Sequence, residues 1–184
     1  LIPVTKDELS RVIGMSKELA LEPLIMDGAM NGAVETSLFA KDAETGLWIK
    51  TRPDVIPTNG GDYIDLKTAS DLVVAALQSS IRSRGYHMQG GLIWEVCEQL
   101  GLPFVSFLLI FVESDRPFCV FPVQVADDDL ARGRMQCRAM LRKIARCMQT
   151  GIWPGPFDGN IRPLGISLDE RARIDARLKE DGIG

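Results

Sequence analysis

Three polar side chains in the stretch from Arg52 to Lys67 have the types and spacing to act together. Asp65 and Lys67 lie two apart in a β-prone run, so they project from one face of a strand. Asp54 follows an earlier β-rich run, Leu47 to Arg52. If that run and Tyr63 to Lys67 pair as a hairpin across the Pro/Asn/Gly-Gly turn between them, Asp54 reaches the same patch. Two carboxylates and an ammonium at one sheet edge suit a hard divalent cation. Mg2+ takes one or two carboxylates and fills its shell with water and phosphate oxygens. The ammonium can then orient or polarise an attacking water.

The elements that must position these groups are legible in the apolar pattern. Lys6 to Leu21 has helical spacing with Thr5 as N-cap, and Pro23 and the Gly28 to Gly32 region end it. Ala33 to Ala40 reads as a strand with Glu35, Ser37 and Phe39 on one side. Asp42 to Gly46 is a turn, Leu47 to Arg52 a second strand and Tyr63 to Thr68 a third. Ser70 is placed to cap a helix over 71–82, which Gly85 breaks, and a further helix spans 86–101. Strands over 104–113 and 118–125 are joined by Ser114-Asp115-Arg116-Pro117, a turn sequence. A long helix over 127–149 starts acidic and ends basic, as the helix dipole favours, and Trp153-Pro154-Gly155-Pro156 stops it. Ser167 can cap a charged helix over 168–180. This order predicts an α/β fold: a mixed central sheet flanked by helices.

The totals narrow the function classes. A chain of 184 residues with 46% hydrophobic and 25% charged residues can bury one core. The longest apolar run, Phe104 to Val112, is too short to span a membrane, and no signal peptide is visible. Cys97, Cys119, Cys137 and Cys147 form no Cys-x-x-Cys pair and do not cluster with the single histidine, His87, which argues against zinc or iron–sulfur ligation and for a reducing compartment. The net charge of −4 does not favour nucleic acid overall, although a basic surface can be local. Arg134, Arg138, Arg142 and Arg146, with Arg132 and Lys143 nearby, make a basic helical stripe that either tracks phosphates or forms a solvated face beside an acidic neighbour. Trp48, Trp94 and Trp153 read as core or rim packing rather than as base-stacking platforms.

In chain order, Val34-Glu35-Thr36-Ser37-Leu38-Phe39, Thr45-Gly46-Leu47-Trp48, Arg52-Pro53-Asp54, Asp65-Leu66-Lys67-Thr68 and Tyr86-His87-Met88-Gln89 resemble the RecE-type exonucleases (exodeoxyribonuclease VIII). These belong to the Pro-Asp…Asp/Glu-x-Lys, PD-(D/E)xK, restriction-endonuclease-like superfamily. The resemblance covers roughly residues 24 to 155. It implies that Asp54, Asp65 and the Leu66 carbonyl hold Mg2+ or Mn2+, with Glu35 as an additional acidic ligand, and that Lys67 positions the water. It places Gln89 beside the active site, with Tyr86 one helical turn before it. Many relatives carry a tyrosine four residues after that glutamine, where Ile93 stands here. Relatives also have a histidine well before the first strand. No histidine precedes Glu35 here, and His87 cannot inherit that role, so either an equivalent precedes Leu1, the expectation favoured here, or the protein dispenses with it.

By the same resemblance the chain is expected to divide into an N-terminal helix (1–22), a nuclease core (23–150) and a tail (151–184). The implied activity is metal-dependent 5′→3′ digestion of linear double-stranded DNA in recombination; the alternatives are a non-catalytic DNA-binding or assembly module on a nuclease fold, or an endonuclease with the same site. The implied setting is a ring-shaped homo-oligomer partnered by a single-strand annealing protein, in the cytoplasm of a bacterium or a phage-infected cell.

Overall fold

The strand that carries Asp65 and Lys67 lies in the middle of the fold, and its two faces serve different layers. The structure is a computed structural model describing residues 3–58, 60–155 and 163–182. Along β5 (Asp62–Ala69) and β6 (Ser106–Glu113), alternate side chains enter different cores. Tyr63, Phe107, Leu109 and Phe111 join one cluster, together with Leu77, Ile93 and Leu130. Ile64, Ile110 and Val112 join another, packed by Met15, Leu19, Leu24 and Ile25. A period-2 strand buried on both faces needs helices on both sides. On one side these are α1 (Lys6–Leu21) and α2 (Pro23–Met26); on the other, α3 (Val74–Ser83), α4 (Tyr86–Leu100) and α5 (Asp127–Thr150).

Among the described residues the main sheet has the order β1-β4-β5-β6-β7, with β1 (Gly32–Val34), β4 (Val55–Pro57) and β7 (Val120–Gln124). Strands β5 and β6 run parallel, linked through α3 and α4, while the other neighbours are antiparallel. The mixed sheet flanked by helices expected from the sequence is therefore present.

Several local expectations are corrected. The run 33–40 is not one strand. Glu35 has φ 51°, which breaks the pleat, so β1 joins the main sheet while β2 (Leu38–Lys41) leaves it. The run Leu47 to Arg52 does not pair with Tyr63 to Lys67. Its core, β3 (Trp48–Thr51), pairs with β2 in a separate two-stranded sheet. Ala40 and Ile49 on the inner face of that sheet pack against Val96 of α4. The partner of β5 is instead the three-residue β4, too short to stand out between Pro53 and its own last residue, Pro57. Ser70 does not cap α3: the helix begins at Val74, with Val73 at the N-cap position and its N–H donated to Asp71.

Other expectations hold closely. Thr5 forms a full capping box with Glu8 at the start of α1. Helix α5 opens on Asp127, Asp128 and Asp129, although its basic residues stop short of the last turn. The stop signal at Trp153 to Pro156 falls partly outside the described residues. The chain divides into two units, Leu1–Thr150 and Gly151–Gly184. The second contains α6 (Leu168–Glu180), capped by the Ser167 hydroxyl, which accepts from the Glu170 N–H.

Candidate active site

The β4–β5 pairing sets the site. The register joins Val55 to Ile64, so one further step places Asp54 across from Asp65. There the ladder ends, and the Asp54 side chain takes the place of a backbone acceptor: its Oδ2 accepts from the Leu66 N–H at 2.7 Å. The two carboxylates thus meet through a different strand from the one the sequence suggested. Pro53, buried, closes the approach before Asp54.

Asp65 is 2% exposed. Its Oδ1 accepts from Gln89 Nε2 at 2.5 Å, and its Oδ2 is ion-paired with the Lys67 ammonium. Lys67 in turn lies over the Tyr86 ring, 4.7 Å from its centroid, and Tyr86 leans on Phe111. Burial pushes the Asp65 carboxyl above the ordinary carboxylate range, and the Asp54 charge adds to that, while Lys67 and Gln89 pull it partly back. A divalent cation between Asp54 and Asp65 would favour both ionised forms.

Gln89 is held in place by the crossing of α4 and α5. Gly85 starts α4 with φ 69°, a left-handed conformation that suits glycine. At Gly90 an added Cβ would meet Phe107 at 2.5 Å and Leu130 at 2.6 Å. Gly91 faces the backbone of Arg134 and Gly133, and Gly133 faces the His87 carbonyl, both inside van der Waals contact. Gly91 and Gly133 let the helices approach backbone to backbone, and Gly90 makes room for the Phe107 and Leu130 side chains, which together seat Gln89 beside Asp65. A Gly-Gly pair in mid-helix was the sequence signal for this contact, since such a pair costs helix stability unless packing requires it.

Glu35 is brought near the patch by its backbone only. Its N–H donates to the Asp54 carbonyl at 2.9 Å, whereas its exposed carboxylate pairs with Arg52 at 2.9 Å. Among the described residues no group of three His, Cys, Asp or Glu side chains is arranged to hold a metal ion. The donors that fit a hard cation are therefore the two carboxylates of Asp54 and Asp65 plus backbone and solvent oxygens. The buried Asp65 Oδ2 has no hydrogen-bond partner besides its ion pair, which is the position such a cation would complete. Ile93 is 1% exposed and belongs to the core, so no aromatic ring reaches the site from that position.

His87 is engaged elsewhere, with Nδ1 at 3.2 Å from the Ile81 carbonyl and Nε2 at 2.8 Å from Gln136 Oε1. Two arginines of the stripe, Arg134 and Arg138, are turned inward, and a third, Arg142, is exposed but paired. Arg134 binds Glu95 and Glu98, Arg138 binds Asp42 and Glu95, and Arg142 binds Glu44. For these three the acidic-neighbour alternative holds, and the guanidinium groups of Arg134 and Arg138 are taken up by carboxylates. Glu95 and Asp42, the buried anchors of this network, were not singled out in the sequence. Trp94 stacks on Phe104 as a packing residue, but Trp48 and Trp153 are 71% and 62% exposed and are not core residues.

The fold and the Asp54–Asp65–Lys67 cluster define a nuclease-like domain of the PD-(D/E)xK class. Residues 4–159 match the family described as a PDDEXK-like domain of unknown function (DUF3799), and the chain belongs to that family. No curated protein matches the chain. Among solved structures, one described as "Putative exonuclease" from Eubacterium rectale superposes with a TM-score of 0.62 at 17% identity, over 88% of this chain and 64% of that one. A second, SSO0001, gives a TM-score of 0.42 at 18% identity over 80% of this chain and 63% of that one. The chain thus spans less than two thirds of the length of either. At these identities the first likeness speaks for the fold. Among the described residues no helix is long and apolar enough to cross a membrane.

Proposed function

We propose that this chain is a metal-dependent exodeoxyribonuclease of RecE type, acting 5′→3′ on linear double-stranded DNA. The observation that carries the reading is the convergence of Asp54, Asp65, Lys67 and Gln89 at the end of the β4–β5 ladder. Asp54, Asp65 and the Leu66 carbonyl would hold Mg2+ or Mn2+, with Glu35 able to contribute only after leaving Arg52. The cation supplies Lewis-acid stabilisation of charge on the scissile phosphate.

The protein's own groups do the rest. Gln89 fixes the rotamer of Asp65 and leaves its second oxygen free for ionic partners. Lys67, held between Asp65 and the Tyr86 ring, keeps a positive charge where the attacking water and the phosphate meet. Because that charge is in place before reaction, its stabilising effect costs no reorganisation in the transition state. In this reading the working form is a ring-shaped homo-oligomer partnered by a single-strand annealing protein, in the bacterial or phage-infected cytoplasm.

The test uses labelled linear and closed-circular duplex DNA with Mg2+, Mn2+ or chelator. Linear DNA should be degraded from its 5′ ends only with metal. Lys67→Ala should slow cleavage by about 10²- to 10³-fold while changing DNA affinity in Ca2+ far less. Equal cutting of the closed circle, or cleavage that survives chelation, would overturn the reading.

A further inference from the structure

The β2–β3 hairpin has an outer face that the catalytic reading does not use. Its inner residues, Ala40, Ile49 and Thr51, are buried, while Phe39, Lys41, Trp48 and Lys50 alternate with them and point outward. The register sets Phe39 beside Lys50 and Trp48 beside Lys41, so rings and ammonium groups form a two-by-two chequerboard. Trp48 is 71% and Phe39 54% exposed, and Lys50 Nζ lies 5.8 Å from the Phe39 centroid.

The charge on this face is of one sign. The nearby acids are all committed elsewhere: Asp42 is buried against Arg138, Glu44 is paired with Arg142, and Glu35 with Arg52. Neither Lys41 nor Lys50 has a carboxylate partner among the described residues. On a chain of net charge −4, such a patch is a local departure.

We propose that this face binds an unpaired stretch of nucleic acid, with bases stacked on Trp48 and Phe39 and phosphates on Lys41 and Lys50. Aromatic platforms interleaved with cations are what a single strand requires, since its bases offer open π-faces and its backbone offers regular negative charge. A duplex keeps its bases stacked on one another and cannot use the rings. A protein partner fits less well, because lysine is depleted from the cores of protein interfaces. The strip also leads to the site. Trp48 and Lys50 alternate along β3, Arg52 follows just beyond it, and Asp54 comes six residues after Trp48, within about 20 Å of chain. On the nuclease reading, which the direction of the strand rests on, the hairpin guides a frayed end toward Asp54.

The experiment compares an oligothymidylate with an abasic oligodeoxynucleotide of equal length, without divalent cation. Quenching of Trp48 is read as the difference between Trp153→Phe protein and the Trp153→Phe/Trp48→Ala double variant. The oligothymidylate should quench Trp48 and bind at least about 5-fold tighter than the abasic strand, since each stacked base contributes about 5- to 150-fold. Trp48→Ala should lower that preference and the Phe39→Ala/Trp48→Ala double variant should erase it, both leaving abasic binding unchanged and keeping the melting temperature, because the rings are exposed. Replacing Lys41 and Lys50 by Gln should flatten the slope of log affinity against log salt by about 1.4 units.

Equal binding of both probes by the unaltered protein overturns the proposal. So does a Trp48→Ala variant that changes sedimentation but not base preference, which would make the face a contact between proteins. Cleavage of linear duplex is scored separately. Trp48 stacking without cleavage leaves the face standing and removes the nuclease reading; cleavage without stacking does the reverse.

Discussion

Replacing Arg138 by Met tests whether the α4–α5 ion-pair network belongs to the core rather than to a DNA-binding surface. The substitution keeps an unbranched stem on a helix and removes only the guanidinium. Arg138 Nη1 donates to Asp42 Oδ1 at 2.5 Å and Nη2 donates to Glu95 Oε1. The side chains of Asp42 and Glu95 are 1% and 9% exposed, and that of Arg138 is 21% exposed. A hydrogen bond to a charged group contributes about 1.5–3 kcal/mol, and breaking a buried ion pair costs about 3–5 kcal/mol. Asp42 keeps its bonds from the Thr45 hydroxyl and N–H, and Glu95 keeps Arg134 and Gln99, so the lower end applies. A loss of about 3 kcal/mol, with a urea slope of about 2 kcal/mol per molar, moves the unfolding midpoint down by about 1.5 M.

The effect should also depend on pH in a defined direction. Burial acts to raise the Asp42 and Glu95 carboxyls, but hydrogen bonds from Thr45 and Arg138 to the first, and from Arg134 and Gln99 to the second, hold both below the usual range. A depressed folded value means that the stabilisation is full above the unfolded carboxylate range and is lost as pH falls through the folded value. The gap between unaltered and variant protein should therefore narrow below about pH 4. A loss under about 1 kcal/mol at neutral pH, the size of an exposed pair, would refute the buried-network reasoning. So would a gap that stays constant down to pH 3.

Two other substitutions probe the site through its supports. Gly133→Ala gains helix propensity but sets a methyl group against the His87 carbonyl, so α4 and α5 must separate; a net loss of about 1–2 kcal/mol in urea unfolding is expected, and unchanged stability would refute the close crossing. Asp54→Asn keeps an oxygen to accept from the Leu66 N–H, so melting should hardly change, while calorimetric Mn2+ affinity should fall on the order of tenfold or more; equal Mn2+ binding by both proteins would remove Asp54 from the ligand set.

Local rules on the sequence determined much of this protein. The capping box at Thr5 and Glu8, the period-2 burial of β5 and β6, the acidic start of α5 and the shared face of Asp65 and Lys67 each depend on residues close together in the chain. Tertiary structure decided the partners. Strand pairing is set by which faces find cover, and β3 found it with β2 against α4, so the short β4 became the neighbour of β5. Glu35 kept its place near Asp54 by backbone, yet its side chain went to Arg52, because a positive φ turned the strand and an exposed guanidinium lay within reach. The arginines repeat every four residues in either environment, and repetition says nothing of what faces them. Only the close crossing at Gly91 and Gly133 brought Glu95 opposite Arg134 and Arg138, with Asp42 arriving on the β2–β3 turn to claim Arg138. Short-range preferences act through the chain itself, whereas a buried charge accepts whatever opposite charge the folded packing delivers to it.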